Sequence, residues 1–127
     1  MTSIKTHKEL KVFQLSFESA MEIFEITKTF PKEEKYSLVD QIRRSSRSVS
    51  ANISEAWRKR KYPKSFIAKL SDYEGEGAET QVWLDYSLAC KYIDENTYNR
   101  LFDKYDHIIS MLVKMMHHSE NWTIPKK

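Results

Sequence analysis

The chain has 127 residues, enough for one domain around one modest core, and its two glycines and three prolines leave too little turn chemistry for a many-stranded β protein. A hydrophobic content of 40% with 31% charged residues fits a soluble helix-rich domain. There is no run of about 18 apolar residues to span a membrane, and "MTSIKTHKEL" has no signal-peptide core. A single cysteine, Cys90, excludes an internal disulfide and suits a reducing cytosol, so a cytoplasmic location is expected.

Hydrophobic periodicity predicts a first helix over about 8–29, with Leu10, Phe13, Phe17, Ala20, Met21 and Phe24 as its buried stripe. Val12, Leu15, Ile23 and Ile26 gather on the opposite side, a second apolar face that one bundle does not require. After "TFPKEEK", with Pro31 suited to a first turn and Glu33 and Glu34 to a helix's positive end, a second helix is predicted over about 32–60. Its core stripe is Leu38, Ile42, Val49, Ile53 and Ala56.

The residue before Pro63 is pushed out of the α region, and a third helix is expected over about 63–93, with Phe66, Leu70, Tyr73, Leu84 and Leu88 inward. Ile67, Ala78, Val82, Ala89 and Ile93 form a second band on it. Gly75 and Gly77 fall inside this helix at a cost of about 1 kcal/mol each. A close backbone approach or a local kink would account for them. Asp94 or Asn96 can cap a fourth helix, over about 96–119, with Tyr98, Leu101, Phe102, Tyr105, Ile108, Ile109, Leu112 and Met116 on one stripe. The tail "ENWTIPKK" is expected to fray. Four such helices joined by short breaks predict an all-α, antiparallel up-down-up-down four-helix bundle. The surplus faces, represented by Val12, Leu15, Ile23 and Ile26 with Ile67, Val82 and Ile93, predict a homo-oligomer interface.

Charge is distributed unevenly. Between Arg43 and Lys69 nine basic residues stand against Glu55, whereas between Asp72 and Asp103 eight acids stand against Lys91 and Arg100. On a helical wheel Arg43, Arg44, Arg47 and Arg58 share one band with Ser54 away from the core stripe, bordered by Ser45 and Ser48 on one side and Ser46 and Ser50 on the other. Lys59, Arg60 and Lys61 continue the band, and Tyr62 adds a stacking surface. Small serines let neighbouring helices approach closely. Hydroxyls and guanidinium groups can also hold phosphate oxygens, which makes RNA or DNA a candidate partner. The competing reading pairs these cations with the acidic third helix, in the same subunit or a neighbouring one, as an interaction scaffold.

Catalytic and metal motifs are missing. One cysteine and this histidine spacing cannot make a zinc site, and no Glu-x-x-His pair or Gly-rich phosphate loop is present. No cofactor and no enzymatic activity are expected, and Cys90, Trp57 and Trp83 read as packing residues.

The runs "FPKEEKYSLVDQIRRSSRSVSANISEAW" and "FIAKLSDYEGEGAETQVWLDYSLACKYI" resemble the bacterial four-helix-bundle family first met as reading frames inside intervening sequences of 23S ribosomal RNA genes. The resemblance runs from about His7 to Met116. It implies a homopentamer and, through the accessory proteins of diversity-generating retroelements, nucleic-acid binding alongside a protein partner such as a reverse transcriptase. Arg43, Arg44 and Arg47 match the family's basic run. Many members carry Glu-Gly where this chain has Glu55-Ala56, a departure that keeps the helix but alters any contact needing a bare backbone.

Overall fold

In the computed structural model, which describes residues 4–124, four helices lie side by side: α1 (Lys11–Thr27), α2 (Leu38–Arg58), α3 (Pro63–Ala89) and α4 (Glu95–His117). No strand occurs among the described residues. Each helix is shorter than its periodicity suggests because its ends tighten into other turns. His7–Glu9, Lys32–Glu34 and Ser119–Asn121 are 3-10 turns.

Side-chain contacts fix the directions. Ser45 of α2 meets Thr80 of α3, and Ala56 of α2 meets Tyr73 of α3. Gln81 of α3 reaches Phe102 and Asp106 of α4, and Asp85 accepts from Tyr98. Residue numbers thus climb on one helix as they fall on its neighbour. Glu22 of α1 with Arg100 and Lys104 of α4 closes the ring of neighbours. The helices are therefore antiparallel, with α1 diagonal to α3.

The main core is built as expected on α2 and α4. Leu38, Ile42, Val49, Ile53 and Ala56 are buried, as are Leu101, Tyr105, Ile108 and Leu112. Leu70, Tyr73 and Leu84 of α3 are wholly enclosed. Removing a leucine of this kind from water contributes roughly 1.5–3 kcal/mol.

Along α1, Ala20 and Leu10 just before the helix are buried as expected and Phe13 packs against the core, but the rest of the inward face is turned toward the residues expected outside. Val12 and Ile23 lie in the chain's own core, Leu15 and Ile26 pack partly against it, and Phe17 and Met21 are 53% and 47% exposed. The inward stripe carries Ser16 and Ser19, both fully buried. These small residues let α1 approach its neighbours, and their hydroxyls return to the carbonyls of Phe13 and Leu15. Phe17 and Met21 are bulkier and lie outside this seam. Ile93 is likewise corrected from interface to interior, where it packs against the core and against a smaller cluster of Phe30, Leu38 and Val39. Ile67 and Val82 do remain on the surface.

The breaks have local causes. Asp94 caps α4, accepting from the Thr97 N–H at 2.7 Å. α3 ends as a Schellman motif: the Tyr92 N–H donates to the Ser87 carbonyl and Lys91 N–H to that of Leu88, with Lys91 left-handed at φ 63°. Gly77 marks a close approach, since a Cβ there would sit 3.2 Å from Ile109 Cγ1, whereas one on Gly75 would meet nothing within 4 Å. α3 continues through both without a kink. The tail is partly docked rather than frayed. Trp122 packs on the core and the Ile124 N–H donates to the Arg60 carbonyl, while residues 125–127 lie outside the described residues.

Candidate nucleic-acid interface

The serines of α2 serve the fold. Ser45 and Ser46 are fully buried and Ser50 nearly so. Their hydroxyls donate to the carbonyls of Ile42, Arg43 and Arg47, three residues back, and Ser54 donates to Ala51. Thr80 adds a bond to Ser45 Oγ at 2.8 Å. Hydroxyls engaged in this way are seams between helices, not a phosphate cradle.

The arginines that looked like one band on a wheel divide three ways. Arg43 leans over α1, its Nε donating to Thr27 Oγ1 at 2.9 Å, its Nη2 to the Phe24 carbonyl, and its plane lying over the Phe24 ring. It caps the negative end of α1. Arg44 turns the other way and pairs with Glu79 at 2.6 Å and Glu76 at 3.8 Å on α3, so the basic and acidic segments meet within one chain. Burial first, and then the charge of Glu79, raise the Glu76 carboxyl above its ordinary range against the pull of Arg44. Arg60 stacks 3.5 Å from the Trp57 centroid and donates to the Trp57 carbonyl, ending α2. Its pKa is lowered by burial and then by the neighbouring Arg58 charge.

Only Arg44 of the seven cations meets a carboxylate among the described residues, Arg43 and Arg60 are held by other groups of the fold, and Arg47, Arg58, Lys59 and Lys61 are exposed with no ion pair there. Arg47 stands apart beside the α1 surface, over Phe24 at 5.6 Å. The other three lie where α2 ends, and there the fold adds two cations that the helical wheel did not include. Lys5 and Lys8, with Thr6, His7, Ser54, Trp57 and Arg58, line a hollow of about 360 Å³. The one carboxylate in that segment, Glu9, is occupied by the backbone N–H groups of Lys5 and Thr6 at 2.9 and 3.0 Å. Antiparallel pairing of α1 with α2 was the signal that could have placed "IKTHK" beside "RKRK", because it sets the start of one helix against the end of the other.

Nothing else competes as a chemical site. No group of three or more His, Cys, Asp or Glu side chains placed to hold a metal occurs among the described residues, and no helix there is long and apolar enough to cross a membrane. Cys90 is exposed at the end of α3 rather than packed. A mostly apolar hollow of about 500 Å³ lies between the ends of α1 and α4, lined by Leu10, Val12, Met111, Met115 and Trp122 among others.

Comparison with known proteins agrees with the fold. A crystal structure of a protein of unknown function from the S23 ribosomal protein family of Bacteroides thetaiotaomicron superposes with a TM-score of 0.76 at 30% identity. The match covers 84% of this chain and 95% of that one. No functionally curated protein matches. The profile of the 23S rRNA-intervening sequence proteins matches residues 8–114, nearly the whole bundle, and the chain belongs to that family.

Proposed function

We propose that the chain is a self-assembling, non-catalytic bundle that holds RNA or DNA by its phosphate backbone, using the basic end where α2 stops. The observation that carries this reading is the hollow that brings Lys5 and Lys8 to Arg58, with Lys59 and Lys61 following Arg58 at the end of α2, five cations with no ion pair among the described residues. Cations that outnumber the carboxylates around them create a positive potential that attracts a polyanion. The cluster sits on turns and a helix end rather than on a reading helix, so contact with phosphates, not base edges, is the chemistry it offers. Assembly of several copies would multiply a modest patch into a tight binder.

The test is fluorescence anisotropy of labelled single-stranded RNA and duplex DNA at about 50 and 200 mM salt, a range over which several phosphate contacts lose orders of magnitude in affinity. Arg58→Glu with Lys61→Glu should abolish binding at the higher salt. Lys32→Glu with Lys35→Glu changes net charge equally at the opposite end and should leave most of it. Equal losses in the two double variants, or no binding of the wild type at the lower salt, would refute the reading.

A further inference from the structure

The hollow of about 500 Å³ between the start of α1 and the last turns of α4 takes no part in the basic site, and its chemistry is different. Its size is in the range that holds a small ligand. Its floor is hydrocarbon: Leu10, Val12 and Met115 are buried there, with Met111 and Trp122 half-buried beside them. Ile4, ahead of α1, and Trp122, after α4, are among its walls, so both ends of the chain narrow what would otherwise be an open seam between two helices. Such a shape suits a single flexible tail better than a partner's helix, which lays its anchors along an open groove.

The rim is cationic. On α4, Met111, Lys114, Met115 and His118 recur at the three-and-four spacing of one helix face, so Lys114 and His118 edge the surface that presents the methionines. Lys11 stands at the start of α1, on the other side of the seam. Neither lysine has an ion pair among the described residues. The one carboxylate in the lining, Glu9, accepts from the backbone N–H groups of Lys5 and Thr6. Helix ends add to the same sign. Leu10 gives α1 no side-chain cap and no acid stands in its first turn, so its positive end is uncompensated, while Lys114 and His117 offset the negative end of α4.

We infer that this hollow binds a free fatty acid, with the tail on Leu10, Val12, Met111 and Met115 and the carboxylate held between Lys11 and Lys114. Methionines adapt their shape to a flexible tail. Two unpaired cations at the rim favour an anionic head over a cationic one. The site is independent of the nucleic-acid reading, because a phosphate backbone has no tail to place on this floor.

Calorimetric titration of the full chain with octanoate, decanoate and dodecanoate, all below their aggregation concentrations, tests this, and carbon-13 methionine-methyl NMR locates the ligand. Each added methylene should tighten binding about two- to fourfold, the upper value being that of a fully buried CH₂. The Met111 and Met115 methyl signals should shift along the same titration, and decyltrimethylammonium should bind more weakly than decanoate. Lys11→Glu with Lys114→Glu should weaken decanoate by about tenfold, leave decanol unchanged and reverse the preference between the anionic and cationic amphiphiles. Met111→Glu, at a half-buried position, should abolish binding of decanoate and decanol alike, with circular dichroism and thermal unfolding checking that each variant folds. Lys32→Glu with Lys35→Glu, at the opposite end of the bundle, should change nothing. No saturable binding of dodecanoate to the wild type, an affinity that ignores tail length, or unmoved Met111 and Met115 methyls would overturn the inference. So would equal binding of the cationic and anionic amphiphiles to the wild type.

Discussion

The two glycines of α3 are two residues apart in one helix, which makes them an internal comparison of local propensity against packing. Replacing either with alanine gains about 1 kcal/mol of helix propensity. At Gly75 that gain is unopposed inside the chain, because the new methyl meets open space. At Gly77 it lands 3.2 Å from Ile109 Cγ1 and 3.6 Å from Cδ1, where carbon atoms prefer about 3.5–4.0 Å. Cγ1 cannot swing aside without rotating χ1, which is stiff for a β-branched residue in a helix. Overpacking of this kind costs typically 1–3 kcal/mol. Gly75→Ala should therefore raise the unfolding free energy by about 1 kcal/mol, while Gly77→Ala leaves it unchanged or lowers it by up to about 2. Equilibrium urea unfolding at fixed protein concentration reads both values. In an Ile109→Ala background, Gly77→Ala should become stabilising. If Gly77→Ala stabilises as much as Gly75→Ala with Ile109 in place, the close approach of α3 to α4 is not what holds a glycine there.

Other consequences of the packing can be checked the same way. The Tyr105 hydroxyl is buried, and burial pushes its pKa up against the opposing effect of the Ser46 hydroxyl beside it, which itself donates to the Arg43 carbonyl; with so weak a partner Tyr105→Phe should be close to neutral in urea unfolding, and a loss of more than about 1 kcal/mol would mean the hydroxyl is well bonded. Lys91 holds a left-handed conformation that costs a side-chain-bearing residue roughly 1–2 kcal/mol. Lys91→Gly should raise the melting temperature, and an unchanged or lower one would count against strain at that turn. Burial alone would raise the Glu22 carboxyl, but the hydrogen bonds and charges of Arg100 and Lys104 outweigh it and hold the pKa below the ordinary 4.5. The stability this adds is present above that value and is lost as pH falls through the depressed one. Glu22→Gln should flatten the acid side of the stability profile, and an unchanged slope between about pH 5 and pH 3 would show the cluster to be unimportant.

The fold was legible because its breaks carry strong chemistry: Pro63 at the start of α3, Asp94 as a cap, and a single apolar stripe on each of α2 and α4, although Pro31 opens only the 3-10 turn Lys32–Glu34 and α2 itself begins at Leu38. α1 was partly misread for a physical reason. It has two apolar faces, and the bulkier one looked like core, whereas burial followed the face on which Ser16 and Ser19 leave room for a neighbouring helix. Periodicity measures hydrophobicity around a cylinder but not how closely the next cylinder can come. The basic site was half legible for a related reason. A helical wheel assigns an angle to each arginine, but Arg43 and Arg44, adjacent in sequence, reach across different seams to Thr27 and Glu79 and leave the surface they shared on the wheel.

That division changes what the basic run of α2 is for. Arg43 and Arg44 join α2 to α1 and α3, and Arg60 secures the end of α2 against Trp57, so substituting them perturbs the bundle before it perturbs any ligand. Arg58, Lys59 and Lys61 have no such duty and can be reversed with little cost to the fold, since exposed charges far from partners rarely shift stability by more than about 0.5 kcal/mol. A loss of nucleic-acid binding on changing Arg43 or Arg44 would therefore be ambiguous. The same loss on changing Arg58 and Lys61, with melting temperature and mass unchanged, can only be read as loss of contact. The two proposed sites also ask different things of a ligand. The hollow between α1 and α4 needs a hydrocarbon tail, and the lysine-rich turns at the end of α2 need a run of phosphates. Met111→Glu should therefore abolish fatty-acid binding and leave most nucleic-acid binding, while Arg58→Glu with Lys61→Glu should do the reverse.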